Sequence, residues 1–141
     1  MSNNINPQKY WLRSVCLSVV IILVVGGITR LTGSGLSMVD WRPIAGILPP
    51  VTDAQWDDVF GMYQGSPEYQ KVNKGMSLDE FKFIFFWEYL HRILGRIVGL
   101  LCLVPFLWFL LRGQLRGGLK AKGLCLNILV ITQGLMGWYM V

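Results

Sequence analysis

The chain reads as an all-α integral membrane protein with three transmembrane helices and a cytoplasmic N-terminus. Three observations lead there. Of its 141 residues 53% are hydrophobic and only 15% charged, with a mean hydropathy of +0.47, against roughly 25% charged in a soluble domain. The apolar residues gather in runs long enough to cross a bilayer core of ~30 Å. Basic and acidic residues segregate to different connecting segments, as they do across a membrane. A soluble globular enzyme, a disordered tail and a nucleic-acid module are thereby excluded. The net charge of +5 and pI near 9.3 belong to cytoplasmic flanks, and the expected partner is the lipid bilayer.

The first span is expected at about 10–31, where 22 residues at 1.5 Å each reach roughly 33 Å. Its uncharged centre runs over 15–28, and Arg13 can snorkel to the boundary. A cleaved signal peptide is the rival reading, because Lys9 and Arg13 precede that centre. No A-x-A-like site follows, and Gly26-Gly27 runs straight into Ile28-Thr29-Arg30. The span is therefore read as retained.

A polar loop follows at 32–82, punctuated by Gly33, Gly35, Pro43, Gly46, Pro49, Pro50, Gly61, Gly65, Pro67 and Gly75. Short helices are signalled within it. Thr52 with Gln55 forms a capping box for a helix to about Tyr63, and Ser66 precedes Pro67 as an N-cap precedes a first-turn proline. Trp41, Trp56, Phe60 and Tyr63 supply enough apolar surface for an ordered cap. The loop carries seven acids, Asp40, Asp53, Asp57, Asp58, Glu68, Asp79 and Glu80, against four bases, Arg42, Lys71, Lys74 and Lys82. It belongs outside.

Ser77 with Glu80 caps a second long helix, expected over about 78–111 and roughly 51 Å in length. It begins outside and enters the bilayer near the aromatic belt of Phe83, Phe85, Phe86, Trp87 and Tyr89. Pro105 is placed to kink it. A basic turn is expected at 112–122, with Arg112, Arg116, Lys120 and Lys122 and no acid. The third span, about 123–141, ends without a basic flank, so the chain is expected to be the first part of something longer. Cys16, Cys102 and Cys125 lie in apolar runs with no metal or disulfide spacing and read as packing residues.

Chemistry concentrates in the middle span. Glu88, His91, Arg92, Gly95, Arg96 and Gly99 share an arc of roughly 140° at 100° per residue. A histidine followed by Gly95 and Gly99 presents an imidazole above a bare groove in which a planar macrocycle can lie, its iron held by the ring nitrogen of His91. Arg92 and Arg96 can pair with the macrocycle's carboxylates. Glu88, one turn before, can move protons or stabilise developing positive charge. A second reading fits the same residues: Glu88 pairs with Arg92 at i,i+4, and Gly95 with Gly99 is a helix-packing G-x-x-x-G. Spacing leaves both open. Arg30 reads as a boundary anchor, and Gln133, Gly134 and Gly137 as packing residues of the third span, with Gln133 able to reach the polar stripe.

The run Gly-Gly-Ile-Thr-Arg-Leu-Thr-Gly-Ser-Gly-Leu-Ser-Met at 26–38, then Trp41-Arg42-Pro43-Ile44-Ala45-Gly46, Pro49-Pro50 and Pro67-Glu68-Tyr69-Gln70, resembles the haem A synthases. So do Glu88-Tyr89-Leu90-His91-Arg92 with Gly95-Arg96, and Gln133-Gly134-Leu135-Met136-Gly137-Trp138. The resemblance is to the proteobacterial and mitochondrial branch. It implies an eight-helix enzyme of two four-helix halves, of which this chain is most of the first. That enzyme oxidises a methyl group of haem O to the formyl of haem A in the bacterial inner or the mitochondrial inner membrane. His91 then corresponds to an axial ligand of the substrate haem O, and Glu88 to a glutamate needed for the oxidation. Haem b is expected in the missing second half. Haem O synthase, oxidase assembly factors and a second copy of the chain are the implied partners.

The sequence departs from the family in two ways. It stops in the third span, before the helix that offers the opposing histidine, so the piece alone is expected to be inactive. Residues 32–82 hold no cysteine, so a loop cysteine pair found in some members has no counterpart. Two other classes remain open: a non-enzymatic haem-binding or oxidase-assembly protein, and a packing subunit of a transporter.

Overall fold

The computed structural model describes residues 6–39 and 48–139. In chain order the helices are α1 (Pro7–Leu31), α2 (Asp53–Gln64), α3 (Pro67–Lys71), α4 (Leu78–Leu111) and α5 (Gly118–Tyr139). No strand occurs among the described residues. Helices α1, α4 and α5 are each long and apolar enough to cross a membrane. Leu17, Val20, Leu23, Leu100, Val104, Leu124 and Leu129 leave large apolar surface exposed on all three, which suits helices surrounded by lipid.

Two helix starts lie earlier than the apolar runs alone indicate. At α1 the Asn6 side chain accepts the Lys9 N–H at 3.4 Å, and Pro7 occupies the first helical position. That cap extends the helix beyond the lipid-facing stretch. At α5 the helix begins at Gly118 and takes in Lys120 and Lys122, since lysine is a good helix former. The basic turn is therefore confined to 112–117. Expectations placed on Asp40, Trp41, Arg42, Pro43, Ile44, Ala45 and Gly46 lie outside the described residues.

The chain forms two compact units, one from the start of α1 to Leu23 with Leu94 onward, the other from Val24 to Ile93. In the first, Trp11, Val15, Val98, Cys102, Phe106, Phe109 and Leu115 make the core. Pro105 has no N–H to give the Leu101 carbonyl four residues back. The Trp11 indole N–H donates to that carbonyl at 2.8 Å and fills the gap. Gly123 of α5 meets Phe106 so closely that a Cβ would stand 2.7 Å from Phe106 Cε2, and Asn127 Nδ2 donates to the Gly123 carbonyl at 2.9 Å. Gly113 (φ 64°) ends α4 in the left-handed region, with Gln114 N–H reaching the Phe109 carbonyl at 2.9 Å.

The second unit contains the polar cap. Thr52 Oγ1 accepts the Gln55 N–H at 3.3 Å, and Gln55 Oε1 takes the Thr52 N–H at 3.3 Å. Ser66 caps α3, and Ser77 with Glu80 caps α4. These starts aim the aromatic rings inward. Tyr63 and Phe81 are wholly buried and stacked at 4.9 Å, with Phe85, Ile84, Trp56 and Phe60 around them. Asn73 Nδ2 donates to the Tyr63 hydroxyl at 2.7 Å, so the one polar atom of that ring keeps a partner.

Candidate functional site

The candidate site lies in the second unit, where the end of α1 meets the first half of α4. Gly33 (φ 64°) closes α1, and the Ser34 N–H reaches the Thr29 carbonyl at 2.9 Å. The strap that follows buries its hydroxyls: Ser34 is 0% and Ser37 1% exposed. Thr29, also buried, has its Oγ1 2.9 Å from the Val25 carbonyl and 3.2 Å from the Trp87 carbonyl of α4, and its single hydroxyl proton is shared between them. A bond of this kind pins the two helices at that height.

Glu88 is 3% exposed, and every direction around its carboxylate is used. Ser37 Oγ donates to Oε2 at 2.7 Å and the Met38 N–H donates to the same oxygen at 2.9 Å. Arg92 donates to Oε1 from Nε at 3.0 Å and from Nη2, and its Nη2 lies 3.5 Å from the Met38 carbonyl. The i,i+4 pair is present, and it also clamps the strap to α4.

His91 is half-buried and turns an edge toward α1. A Cβ on Gly26 would stand 3.0 Å from its Nε2 and 3.4 Å from its Cδ2. Among the described residues neither ring nitrogen makes a hydrogen bond. An imidazole so placed in an apolar span has unspent ligating capacity. It is the chain's one histidine, so this segment offers an iron one imidazole, which suits a macrocycle needing one or two axial ligands. Among the described residues no group of three or more His, Cys, Asp or Glu could hold a bare metal ion. The His91 imidazole is the candidate to hold a haem iron, and its Nε2 edge stands against Gly26 of α1.

The other stripe residues belong to the first unit. Gly95 has Ile22 Cδ1 3.7 Å from where its Cβ would be, and Gly99 has open space. Arg96 keeps a buried Nη1 without a hydrogen-bond partner. Gln133 is exposed and makes no hydrogen bond among the described residues, while Gly134 and Gly137 have nothing within 4 Å of a Cβ. The packing expected of these two glycines is not formed here. Arg30 is exposed at the end of α1.

Sequence reasoning missed Ser37 and the Met38 N–H as partners of Glu88, and Gly26 as a neighbour of His91; it marked Thr29 only as a weaker candidate at the end of the first span. The signal available was weak: small and hydroxyl residues crowded after one span, and an acid buried in the next. Nothing in spacing says that these meet across some fifty residues of chain.

A family model described as cytochrome oxidase assembly protein matches residues 9–141. The protein named "Heme A synthase" of Nitrosomonas eutropha is 49% identical over 140 residues, covering 99% of this chain and 39% of its own length. Its namesakes in Rhodopseudomonas palustris and Brucella ovis are 52% and 51% identical over 133 residues, covering 94% of this chain and 37% of theirs. The chain thus spans under two fifths of the length of these curated relatives. No solved structure matches.

Proposed function

The chain belongs to the cytochrome oxidase assembly protein family, and we propose that it serves haem A biosynthesis as part of the first half of a haem A synthase. The reaction is the oxidation of a ring methyl of haem O to a formyl group in the inner membrane. The observation that carries this reading is His91: a half-buried imidazole in an apolar span, with no hydrogen bond to either nitrogen among the described residues. Relatives near 50% identity named for that synthesis support it.

In this reading haem O is the substrate, and His91 is the residue that would hold its iron. Arg96, with a buried and unpartnered Nη1, is the candidate for a propionate. Arg92 is engaged by Glu88 and serves to hold that carboxylate. Glu88, which accepts from four donors, would stabilise positive charge developing in the oxidation. Gly99 has open space where a side chain would stand, whereas Ile22 of α1 covers Gly95. Haem b in the second half, supply of substrate by haem O synthase, contact with oxidase assembly factors and self-association complete the proposal.

The test uses the full-length protein. His91→Ala is expected to abolish haem A formation and the absorption of haem bound at this site, while membrane insertion persists. Normal haem A formation would refute the reading. The family's description favours a second one, oxidase assembly without catalysis. It requires that His91→Ala leave haem A levels intact while oxidase assembly fails.

A further inference from the structure

The four donors to Glu88 divide evenly between its oxygens, and the two pairs differ in origin. Arg92 holds Oε1 from Nε and Nη2. It is a long, rotamer-rich side chain on the same helix, able to follow the carboxylate through several orientations. Among the described residues Oε2 is held by the strap: Ser37 Oγ donates at 2.7 Å and the Met38 N–H at 2.9 Å. We propose that Ser37 is a positioning residue for Glu88, fixing from outside α4 the direction in which the carboxylate acts during the oxidation. The inference rests on Glu88 taking part in that reaction.

The strap can impose a direction because it is anchored on both sides of Ser37. Before it, Gly33 (φ 64°) turns the chain out of α1, the Ser34 N–H bonds the Thr29 carbonyl at 2.9 Å, and Ser34 Oγ lies 2.6 Å from Thr32 Oγ1. After it, Met38 packs against the cluster of Tyr63, Phe81 and Phe85. Ser37 itself is 1% exposed, so no bulk water stands ready to replace its hydroxyl. Without that hydroxyl Oε2 keeps one donor, and the carboxylate is free to swing with Arg92. A misplacement of about 1 Å in a reacting constellation costs up to about 100-fold in rate. Where the lost interaction matters only in the transition state, kcat falls.

The experiment measures haem A formation by the full-length protein against haem O concentration, below the melting temperature of every variant. Ser37→Ala is expected to lower kcat about 10–100-fold with KM for haem O unchanged, and Ser37→Thr, which keeps the hydroxyl, to restore it. Asn73→Ala, which loosens the cap at Tyr63 without removing a donor to Glu88, is expected to keep the parent rate. A second readout needs no substrate: the infrared carboxylate band that Glu88→Gln removes should shift in Ser37→Ala and return in Ser37→Thr. A parent-like kcat or an unshifted band in Ser37→Ala, with haem A formation lost in Glu88→Ala, would overturn the role of Ser37 alone. Equal losses in Ser37→Ala and Asn73→Ala, or in Ser37→Ala and Ser37→Thr, would overturn it too, since general loosening would then explain them. Full activity in Glu88→Ala would instead remove the role of Glu88 itself. Should Ser37→Ala fail to fold by circular dichroism, Ser37→Cys, whose thiol is a weak donor, takes its place with the same outcomes.

Discussion

Glu88 illustrates how a buried charge is kept in an apolar span. Its carboxylate accepts from Ser37, the Met38 N–H and twice from Arg92, so its desolvation is offset by four donors. Ser37→Ala removes one of them. Hydrogen bonds to charged groups are worth about 1.5–3 kcal/mol, and thermal unfolding in detergent should report a loss of that size. Glu88→Gln should cost more, about 3–5 kcal/mol, because its amide presents N–H groups to a pocket of donors and leaves Arg92 unpaired. If both variants melt with the parent, the clamp contributes nothing to stability. In the full-length protein Glu88→Ala is further expected to lose haem A formation.

Helices α1 and α4 are joined by a repair. Pro105 orphans the Leu101 carbonyl, and the Trp11 indole supplies the missing donor at 2.8 Å. Trp11→Phe keeps most of the ring but not the N–H, and should destabilise by about 1–3 kcal/mol. In a Pro105→Ala background the backbone N–H returns, so the same change should cost less; a double-mutant cycle measures the difference. Helices α4 and α5 meet at Gly123, where a Cβ would lie 2.7 Å from Phe106. Gly123→Ala should cost about 1–3 kcal/mol through overpacking, whereas Gly134→Ala, with nothing within 4 Å, should not destabilise. The cap has its own sensitivity. Burial pushes the Tyr63 phenol up, an effect the Asn73 amide partly offsets. A raised folded-state value means that the neutral phenol stabilises the cap below the unfolded value of about 10. That contribution is lost as pH climbs through the folded value. Limited proteolysis of the cap should therefore accelerate only in strongly alkaline solution, and Tyr63→Phe should remove that alkaline step.

Across the whole chain, charge asymmetry sets the expected orientation, with the N-terminus and the 112–117 turn cytoplasmic and the cap outside. A membrane-impermeant thiol reagent applied to intact cells should label Val51→Cys and spare Gln114→Cys, both in a background lacking the three native cysteines. The reverse pattern would invert the topology. Such a protein is long in apolar helix and short in buried core, because lipid covers what a soluble fold would have to bury.

Three apolar spans, the capping boxes at Thr52–Gln55 and Ser77–Glu80, and the polar stripe of α4 are local patterns, and periodicity or cap chemistry exposes them in the linear chain. The early start of α1 escaped because the Asn6 cap and Pro7 precede the apolar run, and that of α5 because its first turn is basic. The partners of the stripe escaped for a deeper reason. Ser37 on Glu88, Thr29 on Trp87 and Gly26 against His91 are meetings between residues distant in sequence. Their distances depend on how closely two helices pack, and that closeness is set by the summed shapes of side chains along both faces. A helical wheel can place an acid and an imidazole on one arc, but packing alone chooses which neighbours each of them meets.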